Sequence, residues 1–371
     1  MKRVCVAFGT RPEASKMAPV IFALREQVNV EPLLLVTGQQ REQLEQMLDI
    51  FGLVPDANLE VMRTAQTLPD LVGRIVPAAA QALRELAADY VLVHGDTLTT
   101  FAVSLAAFFE GIPVAHVEAG LRSFDLTQPF PEEANRRLTS VLTDIDLPPT
   151  PWAKQNLLAE GKSESMMVVT GNTAVDAVKH LEARAALPPH LPADKLVYLT
   201  MHRRENLPVM PALAEAIVEV ARAFPSYTFA YPVHLNPAVR RAICPAMQPI
   251  PNIILDEPYD YLSSLAAQKH AELVVTDSGG IQEEGTALGV PVVVLRNVTE
   301  RPEGLEVGAL KLAGNDPARV KAILSDLLGD EEKRSAMRQK KNPYGDGQAG
   351  RRIAQTTAWR LGLAERPQDW R

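Results

Sequence analysis

Residues 273–284, with the sequence LVVTDSGGIQEE, decide the fold class of this chain. The first four residues predict a buried parallel strand, the next four a tight turn, and the last four the start of a helix. Ser278, Gly279 and Gly280 would then present backbone N–H groups at the positive end of a helix dipole, where a diphosphate binds well. Glu284, about a turn and a half further on, could reach the hydroxyls of an attached ribose. Because Gly-Gly is also common in ordinary strand–helix turns, this stretch alone leaves phosphate binding open.

Length and composition limit the class of protein. A chain of 371 residues with 46% hydrophobic and 22% charged residues predicts two domains of ordinary globular composition. The net charge of −7 argues against a nucleic-acid-binding protein, which requires a basic face. The two cysteines, Cys5 and Cys244, predict neither a disulfide framework nor a metal site. Neither a signal peptide nor a membrane span can be recognised, so we expect a cytoplasmic protein.

Short apolar strands alternate with amphipathic helices along the chain. In the first half, the predicted strands lie at residues 4–8, 32–37, 90–94, 113–117 and 166–169. In the second half, they lie at residues 196–201, 228–231, 252–255, 273–276, 291–295 and 309–312. This alternation is typical of right-handed βαβ units and predicts two Rossmann-like, doubly wound α/β domains that face a cleft. We place the first domain at residues 1–170, completed by a C-terminal helix at 356–371, and the second at 171–355.

Polar residues that follow strands are the candidates for a site, because ligands of open α/β sheets bind beyond the C-terminal ends of the strands. In the first half, Arg11 and Lys16 follow the first strand and could bind phosphate oxygens. Asp96 and Glu118 follow two later strands, and Glu132 precedes a helix after a long polar loop. Simpler interpretations stay open, because Asp96 could be a helix N-cap and acids at a helix start commonly only complement its dipole.

In the second half, the strand at 196–201 is followed by His202 and two arginines, which suit a general acid or base or a phosphate contact. A structural histidine is the alternative. His234 lies in a similar loop, where a structural role is the simpler interpretation. Arg301 follows another strand and could neutralise a second phosphate. The first half thus supplies acids and the second half diphosphate-binding groups, which is the layout of an enzyme that acts on a nucleotide sugar.

Taken together, these motifs give the chain a resemblance to the non-hydrolysing UDP-N-acetylglucosamine 2-epimerases, which have the two-domain glycosyltransferase-B fold. The motifs lie at residues 8–13 (FGTRPE), 94–97 (HGDT), 116–122 (HVEAGLR), 131–136 (PEEANR), 202–205 (HRRE), 231–237 (YPVHLNP), 276–284 (TDSGGIQEE), 299–303 (TERPE) and 342–348 (NPYGDGQ). The resemblance runs from about residue 4 to about residue 348, nearly the whole chain.

The resemblance implies a reversible inversion at C2 that interconverts UDP-GlcNAc and UDP-ManNAc, with UDP eliminated to give 2-acetamidoglucal and then added back. The catalytic positions that it implies are Asp96, Glu118, Glu132 and His202. The substrate-binding positions are Arg11, Lys16, Tyr259, Ser278, Gly279, Gly280, Glu284 and Arg301. No carbonyl acidifies the C2 hydrogen, so the diphosphate must leave early and needs its charge stabilised. Which acid serves which face of the sugar, and whether the domains are open or closed, stays open.

The resemblance also implies a regulatory site, because bacterial members are activated by a second UDP-GlcNAc molecule beside the active site. The positions that match its contacts are Gln39, Glu132, Arg203 and His234. Glu42 stands where some members have glutamine, Gln40 replaces the usual histidine, and Ala65 replaces an arginine of some members. In the uridine pocket, Tyr259 and Ser264 replace a glutamine and a phenylalanine of some relatives. Activation is therefore an open hypothesis for this chain.

The resemblance further implies a homodimer that needs no metal and no nicotinamide cofactor and supplies ManNAc for a surface polysaccharide. Three alternatives stay open: a hydrolysing epimerase that releases ManNAc and UDP, a glycosyltransferase of the same fold, and a nucleotide-sugar-binding protein without catalysis. Release of free ManNAc would indicate the hydrolysing epimerase, and a requirement for an acceptor would indicate the glycosyltransferase. Absence of exchange at C2 would indicate the binding protein. The downstream pathway cannot be deduced from the sequence.

Overall fold

The computed structural model of the chain describes residues 1–38, 41–63 and 66–371, with only the backbone described at Arg41. These residues form two compact units. The first unit comprises Met1–Ala177 and Gly345–Arg371, and the second unit comprises Val178–Tyr344. Each unit contains one parallel sheet flanked by helices.

The first unit is built on a sheet that has six strands among the described residues, in the order β3-β2-β1-β4-β5-β6. The strands are β1 (Lys2–Phe8), β2 (Val30–Val36), β3 (Ala57–Asn58), β4 (Tyr90–His94), β5 (Val114–Val117) and β6 (Ile145–Leu147). The helices are α1 (Arg11–Arg25), α2 (Arg41–Phe51), α3 (Leu68–Glu85), α4 (Leu98–Phe109), α5 (Glu132–Leu142), α6 (Pro151–Ala159), α7 (Thr173–Leu181) and α15 (Ala349–Arg360). Strand addition reverses between β1 and β4, and the loops after these strands therefore lie at the switch point where doubly wound sheets bind ligands.

The second unit repeats this topology, with six strands among its described residues in the order β12-β11-β10-β7-β8-β9. The strands are β7 (Leu196–Thr200), β8 (Thr228–Pro232), β9 (Ile253–Asp256), β10 (Ala271–Thr276), β11 (Val292–Val294) and β12 (Leu310–Leu312). The helices are α8 (Met210–Ala223), α9 (Pro237–Met247), α10 (Tyr261–His270), α11 (Gly279–Ala287), α12 (Pro302–Glu306), α13 (Pro317–Gly329) and α14 (Glu331–Arg338). Its switch point lies between β10 and β7, so the loops after these two strands are its candidate ligand-binding loops.

Burial explains why the apolar runs become strands. Residues 4–8 of β1 and 273–275 of β10 are fully buried, because helices cover both faces of each sheet. α3 turns every fourth residue toward the core of the first unit, as at Leu71, Ile75 and Ala79. The predicted α/β fold with two doubly wound sheets is therefore confirmed. Within the described parts of the chain, no helix combines the length and apolar character that crossing a membrane requires.

The division into units differs from the boundaries predicted at residues 170 and 355. The first unit continues to Ala177 and also includes the C-terminal segment from residue 345. The start of α7 belongs to it because the buried Asp176 carboxylate accepts hydrogen bonds from the backbone N–H groups of Ala349 and Gly350, at 3.2 and 2.8 Å. These bonds join α7 to the N-terminus of α15, which is also the part of a helix that favours a carboxylate.

The predicted helix at residues 356–371 is only partly correct. α15 ends at Arg360, and Gly362 follows with φ +73°, in the left-handed region where a helix commonly ends. The chain beyond it runs without a helix to Trp370, whose backbone N–H donates to the carbonyl of Val169 at 2.8 Å. Glycine at a position that L side chains rarely adopt therefore stops the helix.

The strand predicted at residues 166–169 is wrong. This segment lies beside β6 but forms a single bridge, between Met167 and Asp146, instead of a strand. The carbonyls of Met167 and Val169 accept hydrogen bonds from the Arg366 side chain and the Trp370 backbone, at 3.0 and 2.8 Å. The tail thus takes the place of a further strand. β3 and β6 lie outside the predicted strands because each is three residues or shorter and contains a polar residue.

Candidate active site

The first unit carries its candidate acids at the C-terminal ends of its central strands. Residues 95–97 link β4 to α4, and Glu118 follows β5 directly. Lys16 reaches the same edge from the second turn of α1. Because parallel strands end at one edge of a sheet, these residues gather at the edge where open α/β sheets bind ligands.

Glu118 is tightly held. Its backbone has φ +63°, which is uncommon for a residue with a side chain, and such strain clusters at functional sites. Its carboxylate forms an ion pair with Lys16 and accepts a hydrogen bond of 3.2 Å from Nδ2 of Asn172. Nε2 of His94 lies 3.7 Å from the same carboxylate. Burial lowers the pKa of His94 to about 4, although the charge of Glu118 opposes the shift, so His94 is neutral near pH 7 and Lys16 supplies the cation.

Asp96 is held by side chains from α5. Its carboxylate forms an ion pair with the buried Arg136, which also donates to the buried Glu133 at 3.1 Å. Nδ2 of Asn135 donates to the backbone carbonyl of Asp96 at 2.9 Å. The N-cap of α4 is Thr97, whose side chain accepts from the backbone of the helix, so the N-cap interpretation of Asp96 is wrong. Asp96 therefore keeps its carboxylate at the edge of the site.

Glu132 begins α5, the helix that also supplies Asn135 and Arg136 to the Asp96 loop. It is half-buried, and a carboxylate at this position complements the positive end of the helix dipole. Glu132 thus lies on the element that holds Asp96 in place. Arg11 begins α1 directly after the loop that follows β1, so its backbone lies at the same edge of the sheet.

Glu13 is a buried acid that ends the motif at residues 8–13 but was assigned no role from the sequence. Its carboxylate accepts hydrogen bonds from the backbone N–H groups of Gly9 and Thr10, at 3.1 and 2.9 Å, and from the Thr97 hydroxyl at 2.8 Å. It therefore joins the loops after β1 and β4, which carry two of the candidate residues. Burial raises the pKa of Glu13 to about 7, while the hydrogen bonds from Thr10, Thr97 and Gly9 lower it. The Thr-x-x-Glu pattern at residues 10–13, typical of a capping box, is the signal that could have identified it.

In the second unit, α11 begins at Gly279 with Ser278 as its N-cap, so the helix starts within the turn predicted at residues 277–280. The backbone N–H of Ser278 donates to the Thr276 hydroxyl at 2.9 Å, so it is not directed at a ligand. The guanidinium of Arg301 lies against Gly279, so close that a Cβ there would be 2.6 Å from Nη1. Around Gly280, by contrast, a Cβ would meet no atom within 4 Å. A cation and the positive end of a helix therefore coincide, which is favourable for an anion.

Acidic side chains fix the orientation of Arg301. Its Nε donates to Glu283 at 2.6 Å, and its Nη1 lies 3.6 Å from Glu300. Burial raises the pKa of Glu300, but hydrogen bonds and charge from Arg296 and the charge of Arg301 outweigh it and bring the pKa to about 2. Glu300 is therefore ionised across the physiological range. Arg301 is held rigidly at the helix terminus, and its attraction for an anion is partly offset by these acids.

Glu284 lies in the second turn of α11, and Tyr259 lies in the loop after β9. Glu284 accepts a hydrogen bond of 2.8 Å from Nε2 of Gln268, on α10. The Tyr259 hydroxyl donates to Asp256 at the end of β9. Both groups thus have orienting contacts within the second unit, and their binding to a nucleotide stays a prediction.

His202 and Arg203 follow β7, where buried Asp277 accepts hydrogen bonds from both backbone N–H groups, each at 2.9 Å. The ring of His234 stacks on that of His202, with 5.3 Å between centroids and 18° between planes. The sequence did not predict this stack, because the two loops are separated by a whole strand and helix. Like Glu13, Asp277 is a buried acid for which no role was predicted from the sequence.

The positions that match a regulatory site are distributed over both units. Glu42 is exposed in the first turn of α2, whereas Arg203 and His234 belong to loops of the second unit. Gln39, with Gln40 and Ala65, lies outside the described residues. No cluster of three or more metal-ligating side chains is present in the part of the chain that the structure describes.

Comparison with known proteins identifies the family. A family model described as UDP-N-acetylglucosamine 2-epimerase matches residues 22–358. The UDP-N-acetylglucosamine 2-epimerase of Bacillus subtilis (strain 168) is 43% identical over 373 residues, covering 99% of this chain and 98% of that protein.

Solved structures agree with this match. The Staphylococcus aureus MnaA–UDP structure has a TM-score of 0.92 and 40% identity and covers 100% of both chains. The UDP-GlcNAc 2-epimerase from Neisseria meningitidis, solved with UDP-GlcNAc bound, has a TM-score of 0.90 and 40% identity, covering 96% of this chain and 100% of that one. On the strength of the full-length match, this chain belongs to the UDP-N-acetylglucosamine 2-epimerase family.

Proposed function

We propose that this chain epimerises UDP-GlcNAc at C2 reversibly, eliminating UDP to give 2-acetamidoglucal and adding it back to give UDP-ManNAc. The observation that carries the proposal is the Arg301 guanidinium lying on the N-terminus of α11. This arrangement suits a departing diphosphate, and relatives have been solved with UDP and with UDP-GlcNAc. Its test is whether deuterium from the solvent enters C2.

The second unit is proposed to hold the UDP moiety. The helix N-terminus at Gly279 and Gly280 and the side chain of Arg301 would bind the diphosphate. Glu284 and Tyr259 would bind the ribose and the base. Because both the helix dipole and Arg301 are fixed before substrate arrives, they stabilise the charge that develops on UDP as the bond to C1 breaks without reorganising.

The first unit is proposed to supply the acids for the sugar. Loss of UDP leaves positive charge on the ring, which nearby carboxylates stabilise as in glycosidases. Inversion also requires that a proton leave one face of C2 and another arrive on the opposite face. Asp96, Glu118 and Glu132 are the proposed acid and base groups, with His202 of the second unit acting on UDP.

Deuterium exchange tests the reaction class. UDP-GlcNAc is incubated with the protein in heavy water and followed by NMR. Deuterium at C2 of both recovered sugar nucleotides, without free ManNAc, supports the proposed reaction. Free ManNAc that accumulates in step with UDP would establish hydrolysis instead, and turnover only with an added acceptor would establish a glycosyltransferase. Binding of UDP-GlcNAc without any exchange would leave a binding protein.

A homodimer is proposed on an apolar face of the first unit. The residues Phe108 and Phe109 at the end of α4, and Leu138 and Val141 near the end of α5, are 57%, 67%, 49% and 79% exposed. Large apolar side chains exposed together commonly mark an interface. Light scattering should give twice the mass of one chain, and Phe109→Glu with Val141→Glu should give the single mass. A wild-type protein that stays monomeric at high concentration rules out the dimer.

Activation by a second UDP-GlcNAc is proposed for the positions Glu42, Glu132, Arg203 and His234, with Gln39 among the residues outside the description. Sigmoidal rates with UDP-GlcNAc, and no turnover of UDP-ManNAc until UDP-GlcNAc is added, are the expected results. A strictly hyperbolic response with UDP-ManNAc turned over alone would contradict activation.

The reaction is proposed to occur in the cytoplasm and to supply ManNAc for a surface polysaccharide. Deleting the gene should remove ManNAc from that polysaccharide. Unchanged ManNAc content, or recovery of the protein outside the cytoplasmic fraction, would refute this placement.

A further inference from the structure

Asp277 directly follows β10, at the start of the turn that leads into α11. Its carboxylate is fully buried and accepts hydrogen bonds from the backbone N–H groups of His202 and Arg203, at 2.9 Å each, and from Nδ2 of Asn206 at 3.1 Å. These donors belong to one loop, at residues 202–206. Asp277 therefore fixes the loop that carries His202 against the turn proposed to hold the diphosphate.

The charge of Asp277 is met by neutral donors. Among the described residues, His202 is the one basic side chain that lies within ion-pair distance, with its Nδ1 3.7 Å from Oδ1 of Asp277. The buried Tyr231 also lies nearby, and burial together with the charge of Asp277 raises its pKa. Tyr231 therefore stays protonated and donates to the carbonyl of Met201 at 2.6 Å. A buried negative charge beside an imidazole favours its protonated form.

The ring of His234 stacks on a face of the His202 ring, with 5.3 Å between the ring centroids. Nδ1 of His234 accepts a hydrogen bond of 3.0 Å from the backbone N–H of Asn236. A nitrogen that accepts from an N–H carries a lone pair, so the proton of His234 is on Nε2 and its ring is neutral. Two stacked imidazolium rings would repel each other, whereas a neutral aromatic ring tolerates a cation on its face.

We propose that Asp277 and His234 are positioning residues that hold His202 as a proton donor for the leaving diphosphate. The negative charge of Asp277 keeps a proton on Nδ1 of His202. The neutral ring of His234 then stacks against the imidazolium ring of His202. As the bond between C1 and oxygen breaks, its electron pair stays on the UDP oxygen, and the proton on Nε2 of His202 passes to UDP. A carboxylate takes the C2 proton, and the bonding pair left behind forms the C1=C2 double bond of 2-acetamidoglucal. In re-addition, an acid gives a proton to the opposite face of C2, the UDP oxygen bonds to C1, and the proton that UDP held returns to Nε2 of His202. This role rests on the proposed function and differs from a contact of His234 with a second nucleotide.

The first test compares Asp277→Asn with Asn206→Ala. The asparagine keeps the shape but removes the charge, whereas Asn206→Ala removes one hydrogen bond to the same carboxylate and keeps the charge. Asp277→Asn should lower kcat by about 10² and move the loss of activity at high pH to lower pH, because a protonated His202 is then harder to keep. Asn206→Ala should leave that pH dependence in place. The proposal is overturned if both variants leave the pH dependence unchanged or move it equally.

The second test replaces His234 by Phe and by Ala. Phe keeps a neutral ring in the stack, whereas Ala removes the ring. Because His234 is also proposed to contact the second nucleotide, the readout is the pH dependence of kcat and not kcat itself. His234→Phe should leave the loss of activity at high pH in place, and His234→Ala should move it to lower pH, because the ring that stacks on the His202 cation is then absent. An equal shift in the two variants, or no shift in either, would contradict the stacking role.

The third test uses the resting wild-type protein and so does not depend on turnover. Nitrogen-15 NMR at pH 7 should show His234 with its proton on Nε2 alone, and His202 protonated on both ring nitrogens. The His202 signal should change in Asp277→Asn and stay the same in Asn206→Ala. Protonation of His234 on Nδ1 would overturn the proposal even if the epimerase reaction is observed. Absence of epimerisation with these NMR signatures intact would instead refute the proposed function alone.

Discussion

Adding one methyl group to Gly279 tests whether Arg301 and the α11 terminus bind the diphosphate. A Cβ at this position would lie 2.6 Å from Nη1 and 2.8 Å from Cζ of Arg301. Since such atoms pack at about 3.5 Å or more, the guanidinium must retreat by roughly 0.9 Å in Gly279→Ala. That movement stretches the 2.6 Å hydrogen bond from Nε to Glu283 and takes the cation away from the helix terminus.

The cost of this change should fall on binding more than on folding. Overpacking a fixed site costs about 1–3 kcal/mol, but here the obstructing atoms are the end of a side chain that can move. We expect the affinity for UDP to fall about tenfold, which is about 1.4 kcal/mol. The free energy of unfolding should fall by about 1 kcal/mol at most. Isothermal titration with UDP and urea unfolding measure the two quantities.

A double-mutant cycle provides the control. In Arg301→Ala the guanidinium is absent, so adding Gly279→Ala should change the UDP affinity by less than about twofold. Gly280→Ala is the matched variant for stability, because a Cβ there meets no atom within 4 Å. Its free energy of unfolding should be unchanged or higher by about 0.4–1 kcal/mol. The reasoning is refuted if Gly279→Ala weakens UDP binding equally with and without Arg301, or leaves binding unchanged in both.

Three further predictions follow from the same contacts. Turnover should fall by about 10² or more in each of the variants Asp96→Asn, Glu118→Gln, Glu132→Gln and His202→Asn, with UDP affinity nearly unchanged in the three carboxylate variants. Near-normal rates in all four would exclude the acid–base roles. Lys16→Gln should lower kcat without weakening UDP binding in isothermal titration, because Lys16 is paired with Glu118, and a weakened affinity would make Lys16 a phosphate ligand. Burial raises the pKa of Glu13 from an ordinary 4.5 to about 7 in the folded protein. The protonated acid therefore stabilises the fold fully below about pH 4.5, and about 3 kcal/mol of the free energy of unfolding is lost as the pH rises through about 7. Glu13→Gln should therefore flatten the fall in unfolding free energy measured in urea between about pH 5 and 8, and an unchanged slope would contradict the burial argument.

The parts of the site that could be predicted are contained within one strand–loop–helix segment. Residues 273–284 form β10, the turn and the start of α11 because local apolar content, turn residues and helix propensity agree there. β4 has the predicted bounds for the same reason. Such segments also fix which side chains stand at the ends of parallel strands, so Asp96, Glu118 and His202 could be selected as candidates before any contact was known.

The contacts that orient these candidates could not be predicted, because they join residues that are far apart in the sequence. Glu118 is held by Lys16 and Asn172, on either side of it in the chain. Asp277 binds a loop that is distant in the sequence, since 75 residues separate it from His202. A buried acid at a strand end has the same local sequence whether it contacts a ligand or a neighbouring loop.

β6 could not be predicted from the sequence for the same reason, because its stability depends on residues outside the segment. Its central residue, Asp146, is fully buried, although aspartate disfavours strands and buried charge is costly. Lys162 lies 3.0 Å from its carboxylate, and the buried His116 of β5 lies 3.8 Å away. Lys162 compensates the charge, whereas burial lowers the pKa of His116 and disfavours its charged form. A tertiary contact with Lys162 therefore overrides the local preference of a three-residue segment.

Local compensation of charge also explains how a chain with a net charge of −7 can be proposed to bind a diphosphate. In the first unit, Glu118 has Lys16 beside it and Asp96 has Arg136 beside it. Carboxylates without these cations would repel a phosphate and would be costly to bury, and removing one partner of a buried pair commonly costs about 3–5 kcal/mol. Lys16 and Arg136 are therefore committed to these acids, which keeps the acids in place for the sugar. Attraction for the diphosphate is then left to Arg301, the α11 dipole and the predicted phosphate contact of Arg11, and for this reason Lys16 and Arg301 should differ when each is removed.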